Sequence, residues 1–204
     1  MLATRGHLAK TPESPISKRY AARSVAGLPE YLERDEVEGV ARCAPHMRAG
    51  LIILEMWRAG LRISEAVALE VSDIHLDEVS PTLRVRKGKG NRPRVVPVHP
   101  ELAGALRTTM DFGGKKRGRL VECHRSTAWT WVKKAVASAI ERGYLAPDRL
   151  VTPHTFRHSA ARHWLANGIP INVVQRWLGH KRLQTTLIYL EILPDQLGLM
   201  ERVP

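Results

Sequence analysis

Between residues 71 and 98 the apolar residues leave a spacing of three and four and fall into a spacing of two, and that switch limits what this chain can fold into. Val71, Ile74 and Leu76, then LRVRK at 83–87 and RVVPV at 94–98, read as short strands with turns between them. GKGN at 88–91 is the turn of a hairpin. On either side the spacing is helical. Residues 34–43 form a helix with Val37 and Val40 on one face. Ala49 to Ala59 forms a buried helix carrying Leu51, Ile52, Leu54 and Met56, and Gly60 stops it in the position that follows a helix end. Ser64 is placed to cap a short helix, EAVALE. Further on, STAWTWVKKAVASAIERG is a helix ending at Gly143. Thr152-Pro153 opens another that runs to Asn167-Gly168, Pro170 opens a third that ends at Gly179, and TTLIYLEI is the last. No internal repeat is visible. The expected fold is α+β: mostly helical, with a small three-stranded antiparallel sheet near the N-terminal half.

Charge narrows the partners. The 204 residues, about one domain's worth, carry a formal charge of +12, a field that favours a polyanion. Six basic residues and no acid fall within 84–94, and KKRGR at 115–119 is a second basic stretch, read as a loop. Residues 1–27 carry five Lys or Arg against Glu13 alone, broken by Pro12 and Pro15, and read as a basic arm or interdomain linker. Residues 28–193 make the globular domain, and 194–204 a short apolar tail. No run of about 20 apolar residues could span a bilayer. The opening MLATRGHLAKTPESP lacks the apolar stretch of a signal peptide. Two cysteines, Cys43 and Cys123, make neither a metal cage nor a disulfide framework. The expectation is a cytoplasmic chain with reduced thiols.

The chemistry-bearing residues stand in separate stretches. In PHTFRHSAARHW, His154 and Arg157 share a helix face, and His154 sits near a helix N-terminus, where unpaired N–H groups and a partial positive charge favour a phosphate. His154 and His158 also have the four-residue spacing of a zinc-binding helix, but Thr155 stands where a metalloprotease needs Glu, so no metal is expected. Arg62, in AGLRISEA, lies between a helix stop and a helix start, and can hold two phosphate oxygens in a bidentate fork. Lys89, between two glycines at the hairpin tip, can reach into a groove. LGHKRLQTTLIYL puts His180 just after a helix stop and Tyr189 nine residues later.

Taken in order, Arg in GLRISE, Lys in GKGN, His-x-x-Arg in HTFRH, His in LGH and Tyr beyond it resemble the tyrosine recombinase family of phage-integrase and Xer type, over roughly residues 30–192. The resemblance implies that 28–193 is a catalytic domain in which Tyr189 is the nucleophile. It implies that Arg62 and Arg157 clamp the scissile phosphate and that Lys89 protonates the departing 5′ oxygen. His154 would assist proton transfer or bond the phosphate, His180 would hold a phosphate oxygen, and Glu65 would brace the site. Double-stranded DNA is the implied partner, lined by Arg84, Arg86, Lys87, Arg92, Arg94, Lys115, Lys116 and Arg117, with self-association into dimers or tetramers on DNA. The tail would dock on a neighbouring protomer. No cofactor is implied, and the setting would be a bacterial cytoplasm. Relatives of this kind usually carry a helical core-binding domain before the catalytic one; here about 27 residues precede it.

The chemistry is consistent with those roles. A free tyrosine ionises near pH 10, so neighbouring cations are expected to favour its phenolate. Charge gathers on the phosphoryl oxygens during in-line attack, where fixed cations act most strongly. No P-loop or acidic magnesium site is present in the sequence, which fits a transesterification without metal or ATP. Two other readings remain at this point. A type IB topoisomerase or telomere resolvase would use similar groups, and the helix, Gly179 turn and helix at 170–192 superficially resemble a DNA-binding regulator.

Overall fold

The computed structural model describes residues 29–77, 79–86, 93–114 and 116–193. The 1–27 arm, the hairpin tip with Lys87, Lys89 and Arg92, Lys115, and the tail from 194 lie outside the described residues. The chain runs through α1 (Arg34–Arg42), α2 (Met47–Arg58) and the short α3 (Ile63–Ala66) into a 3₁₀ turn at Val71–Asp73. Strands β1 (Ile74–His75), β2 (Thr82–Val85) and β3 (Arg94–Pro97) follow. Then come α4 (Pro100–Phe112), α5 (Arg125–Glu141), α6 (Pro153–Ala166), α7 (Ile171–Leu178) and α8 (Gln184–Leu187). The expected mostly helical α+β fold, with its small early sheet, is observed. The sheet is antiparallel in the order β1-β2-β3, with Leu83 opposite both Ile74 and Val96. Leu83, Val85 and Val96 point into the core while Arg84 and Val95 face out, as the period of two requires.

One helix was not anticipated. Pro100 occupies the first turn of α4, the His99 ring accepts the Glu101 N–H at 3.2 Å, and Leu102, Ala103 and Leu106 are buried on one face. The start signal at His99-Pro100 was readable, but the exposed Thr108 and Asp111 and the partly exposed Met110 obscure the pattern downstream.

The larger part of the core joins α1, α2, the sheet, α4 and α5, with Phe156 of α6 reaching into it. A smaller cluster gathers Ala161, Leu165, Val174, Leu178, Tyr189 and Ile192. Helix α2 packs against α6, and Trp164 of α6 packs against both clusters. Cys43 is buried and Cys123 partly so, both as free thiols.

Among the described residues the core contains a costly carboxylate. Glu55 of α2 is fully buried, and neither carboxylate oxygen has a hydrogen-bond partner among the described residues. Burial pushes its carboxyl well above the usual range. A group whose folded pKa is raised contributes most below its unfolded value, near 4.3, and its contribution is lost as pH rises through the folded value. Glu55→Leu is therefore expected to stabilise the fold by about 1–3 kcal/mol, the cost of an unpaired buried polar group. The gap between variant and wild type should widen from pH 5 to pH 8 in thermal unfolding. A variant no more stable than wild type at pH 8 would mean the carboxylate is satisfied in solution.

Candidate active site

Three separate pieces of chain meet at the carboxylate of Glu65, and a fourth lies against the arginines they bring. The first begins at Gly60, whose φ of +60° suits glycine; a Cβ there would also lie 2.8 Å from the Trp164 ring. Arg62 follows, in the N-cap position of α3. Ser64 was expected there and is instead exposed inside the first turn. The cap falls on Arg62 because Glu65, three residues on, reaches back to accept the Arg62 backbone N–H at 2.8 Å. The Arg62 guanidinium donates to the other Glu65 oxygen at 2.9 Å.

Arg94 is a correction. Its place in the basic hairpin suggested a DNA contact, yet its side chain is only 8% exposed. It donates two hydrogen bonds to Glu65, both 2.8 Å, and a third from Nε to the Trp177 carbonyl at 2.7 Å. The reason is position. Strand β3 lies against α7, so a side chain at its start reaches the end of that helix rather than solvent. Arg94 ties sheet, α3 and α7 together.

Arg157 comes from α6. Thr152 and Pro153 open that helix as expected, with the Thr152 N–H donating to the Thr155 hydroxyl at 3.0 Å. His154 is exposed in the first turn, and Arg157, one turn further on, is buried. Its guanidinium donates to the carbonyls of Gly60 and Leu178 and lies 3.8 Å from Glu65.

One carboxylate thus faces three guanidiniums. Burial raises the Glu65 carboxyl, but hydrogen bonds and charge from Arg94, then the Arg62 N–H and the Arg157 charge, more than reverse this and bring it to about 2. Burial, then the charge of Arg62, lowers Arg157 to about 9, which leaves it cationic at neutral pH. The surplus positive charge is what an anion would neutralise.

The fourth piece runs from Gly179 to Tyr189. Gly179 ends α7 at φ +68°, and a Cβ on it would come within 3.0 Å of the Arg94 side chain. His180 follows; its Nδ1 lies 3.0 Å from the Thr186 hydroxyl. Burial, then Arg157 and Arg62, lower this imidazole to about 3, so it is neutral at pH 7. His154 is lowered too, by burial and then Arg157 and Arg62. A pocket of about 270 Å³ lined by Arg62, Gly179, His180, Lys181, Arg182 and Thr185 opens beside these groups.

Tyr189 departs from expectation twice. The helix expected to carry it ends at Leu187, and the chain continues in tighter i-to-i+3 turns, with Tyr189 N–H on the Thr186 carbonyl at 3.1 Å. Thr185 and Thr186 are weak helix formers, and the Thr186 hydroxyl is engaged by His180. The cations were also expected to favour the phenolate. In this structure burial raises the phenol above its ordinary value, and the opposing charges of Arg157 and Arg62 are weaker. Tyr189 is buried, its ring 6.3 Å from that of His180, and its hydroxyl is 2.8 Å from Nδ1 of His158.

Of the residues singled out from sequence, Arg62, Glu65, His154, Arg157, His180 and Tyr189 converge here. Lys89 falls outside the described residues. Arg84, Lys116 and Arg117 are exposed, as a DNA-facing surface needs. Arg86 is half exposed but committed to acids, with Asp73 at 2.6 Å and Glu70 at 2.7 Å. The 115–119 loop is tied down at its end, where Val71 N–H donates to the Gly118 carbonyl and Leu120 N–H to that of Leu69. Four residues of the candidate site were missed: Arg94 as a brace, Lys181 and Arg182 in the pocket wall, and His158. His158 stands beside Arg157, but in sequence its four-residue spacing from His154 points only toward a metal site. Among the described residues, no group of three or more His, Cys, Asp or Glu could hold a metal.

The phage integrase family model matches residues 30–195. The tyrosine recombinase XerA of Pyrococcus horikoshii is 36% identical over 81% of this chain and 58% of its own length. A resolvase of Escherichia coli is 32% identical over 86% of this chain and 78% of its own. Among solved structures, a XerA recombinase aligns with a TM-score of 0.70 at 29% identity, over 86% of this chain and 64% of the other. The catalytic domain of bacteriophage HP1 integrase aligns at 0.62 and 24% identity, over 85% and 94%. The chain therefore spans about three-fifths of the XerA proteins it matches. No described helix is long and apolar enough to cross a membrane.

Proposed function

Because the chain belongs to the phage integrase family, we propose that it cuts and rejoins double-stranded DNA as a site-specific recombinase, through a 3′-phosphotyrosyl intermediate at Tyr189. The observation that carries this is the set of cations gathered on Glu65, open on one side to a basic pocket, with the Tyr189 ring 6.3 Å from that of His180 in the pocket wall. The scissile phosphate binds in that pocket. Arg62, the most exposed of the three guanidiniums around Glu65, takes its non-bridging oxygens together with Arg157. His180 donates from its Nε2 to a further oxygen, a role open to a neutral ring whose Nδ1 is occupied by Thr186. His154, at a helix N-terminus, lies on the outer side of the same phosphate.

Tyr189 attacks phosphorus, the 5′ oxygen leaves, and the energy of the broken bond is kept in the phosphotyrosine. Rejoining reverses the step and needs no ATP. The leaving oxygen takes its proton from Lys89, a role carried from the family resemblance. The Glu65 carboxylate at the centre is already engaged by arginines, so charge neutralisation falls to fixed guanidiniums rather than to a metal ion. Arg84, Lys116 and Arg117 meet backbone phosphates, which sets affinity and salt dependence. Assembly into dimers and tetramers on DNA, with the tail docking in trans, completes the proposal.

The test is strand transfer between two labelled duplexes in EDTA without ATP. The label should pass from one duplex to the other at a rate unchanged by magnesium. Relaxation of supercoiled DNA without exchange would favour a topoisomerase, and an absolute need for magnesium would contradict the mechanism.

A further inference from the structure

We propose that His158 is a further catalytic residue, which accepts the Tyr189 proton at Nδ1 as the phenol attacks phosphorus; this rests on the function proposed above. The geometry comes first. Nδ1 of His158 lies 2.8 Å from the Tyr189 hydroxyl, and the rings are 5.6 Å apart. It is the only hydrogen bond of that hydroxyl among the described residues, so the nucleophilic oxygen is oriented by this one partner. His158 stands directly after Arg157 on α6, so the group that holds the nucleophile and a guanidinium facing the phosphate share one turn of one helix. His180, by contrast, has its Nδ1 on Thr186, and His154 is exposed a full turn away, 6.4 Å from the His158 ring.

The protonation states agree. Burial, then the charges of His154 and Arg157, lower His158 to about 4, so it is neutral at pH 7 and has a lone pair to offer. Burial keeps the phenol protonated. The hydrogen bond then runs from the Tyr189 O–H to Nδ1. Binding DNA places phosphate charge beside Arg157 and Arg62, which offsets those cations and makes His158 a better base when the substrate is present. In the step itself the Tyr189 O–H bond breaks and its proton moves to Nδ1. The phenolic oxygen bonds to phosphorus, and the bond from phosphorus to the 5′ oxygen breaks, that oxygen taking a proton from the leaving-group acid. On rejoining, imidazolium His158 returns its proton to the departing phenolate.

The experiment measures covalent adduct formation at saturating DNA with wild type, His158→Phe and His158→Asn. Each is run on an ordinary nicked duplex and on one whose bridging 5′ oxygen is replaced by sulfur, a leaving group that needs no acid. Phe keeps a ring without an acceptor, and Asn offers an acceptor that cannot take up the proton. Both are expected to slow cleavage by about 100-fold or more. The sulfur substrate should rescue neither, because the lost step is on the nucleophile. An unchanged rate in either folded variant, or rescue by sulfur, would overturn the assignment. Absence of any adduct from wild type would instead remove the recombinase reading on which it stands.

Discussion

Tyr189→Phe is expected to abolish covalent capture of DNA, with a loss on the order of 10⁴-fold or more, the scale set by removing an enzyme nucleophile. The fold should survive. The ring fills the smaller core cluster with Ala161, Leu165, Val174 and Leu178, and Phe preserves that volume. Only the hydroxyl and its hydrogen bond to His158 are lost, worth about 1 kcal/mol of stability. DNA affinity should also be retained, because the arginines and the exposed Arg84, Lys116 and Arg117 are untouched. Gel-shift titration at low salt beside denaturing-gel capture separates the two properties. A Phe variant that still forms an adduct would place the nucleophile elsewhere.

Glu65→Ala is the second large effect, and it acts on stability and chemistry together. Removing this carboxylate leaves Arg94 and Arg157 buried without their acidic partner, and Arg62 without its anchor. Breaking a buried charge pair from one side costs about 3–5 kcal/mol, a fall in melting temperature on the order of 10 °C for a domain of this size. Cleavage should fall further than the folded fraction explains, since the clamp arginines lose their fixed positions. The pH dependence has a definite sign. The folded pKa of Glu65, about 2, is below the unfolded value near 4.3. Its stabilisation, about 3 kcal/mol, is therefore complete above that unfolded value and is lost as pH falls toward 2. Thermal unfolding between pH 7 and pH 2.5 should show the wild type losing its advantage over Glu65→Ala across the lower part of that range.

The fold was legible where local rules decide. Gly60, Gly179 and Thr152-Pro153 mark helix ends by backbone conformation and capping, and each falls where the sequence places it. The strands follow the alternation of Leu83, Val85, Val96 and Val98. Much of the site was legible too, because its residues stand in an ordered set of motifs. What was not legible is where charged side chains point. Arg94 and Arg84 lie on neighbouring strands of one basic hairpin, yet one is buried on Glu65 and the other faces out. The difference comes from α7 packing beside β3, a contact between residues some 80 positions apart. The same holds for His158, whose partner lies 31 residues away and is brought to it by the turns after α8. The effect of burial on the phenol also needed the fold, since the cations visible in sequence argue for the opposite shift.

The central claim is that Tyr189 becomes joined to a DNA 3′ phosphate. It is tested most directly by trapping the wild-type protein on a pool of nicked duplexes at low salt, digesting the adduct with protease and locating the nucleotide by mass spectrometry. The account predicts a nucleotide linked through its 3′ phosphate to the hydroxyl of Tyr189. A linkage to another residue, or through a 5′ phosphate, would contradict it.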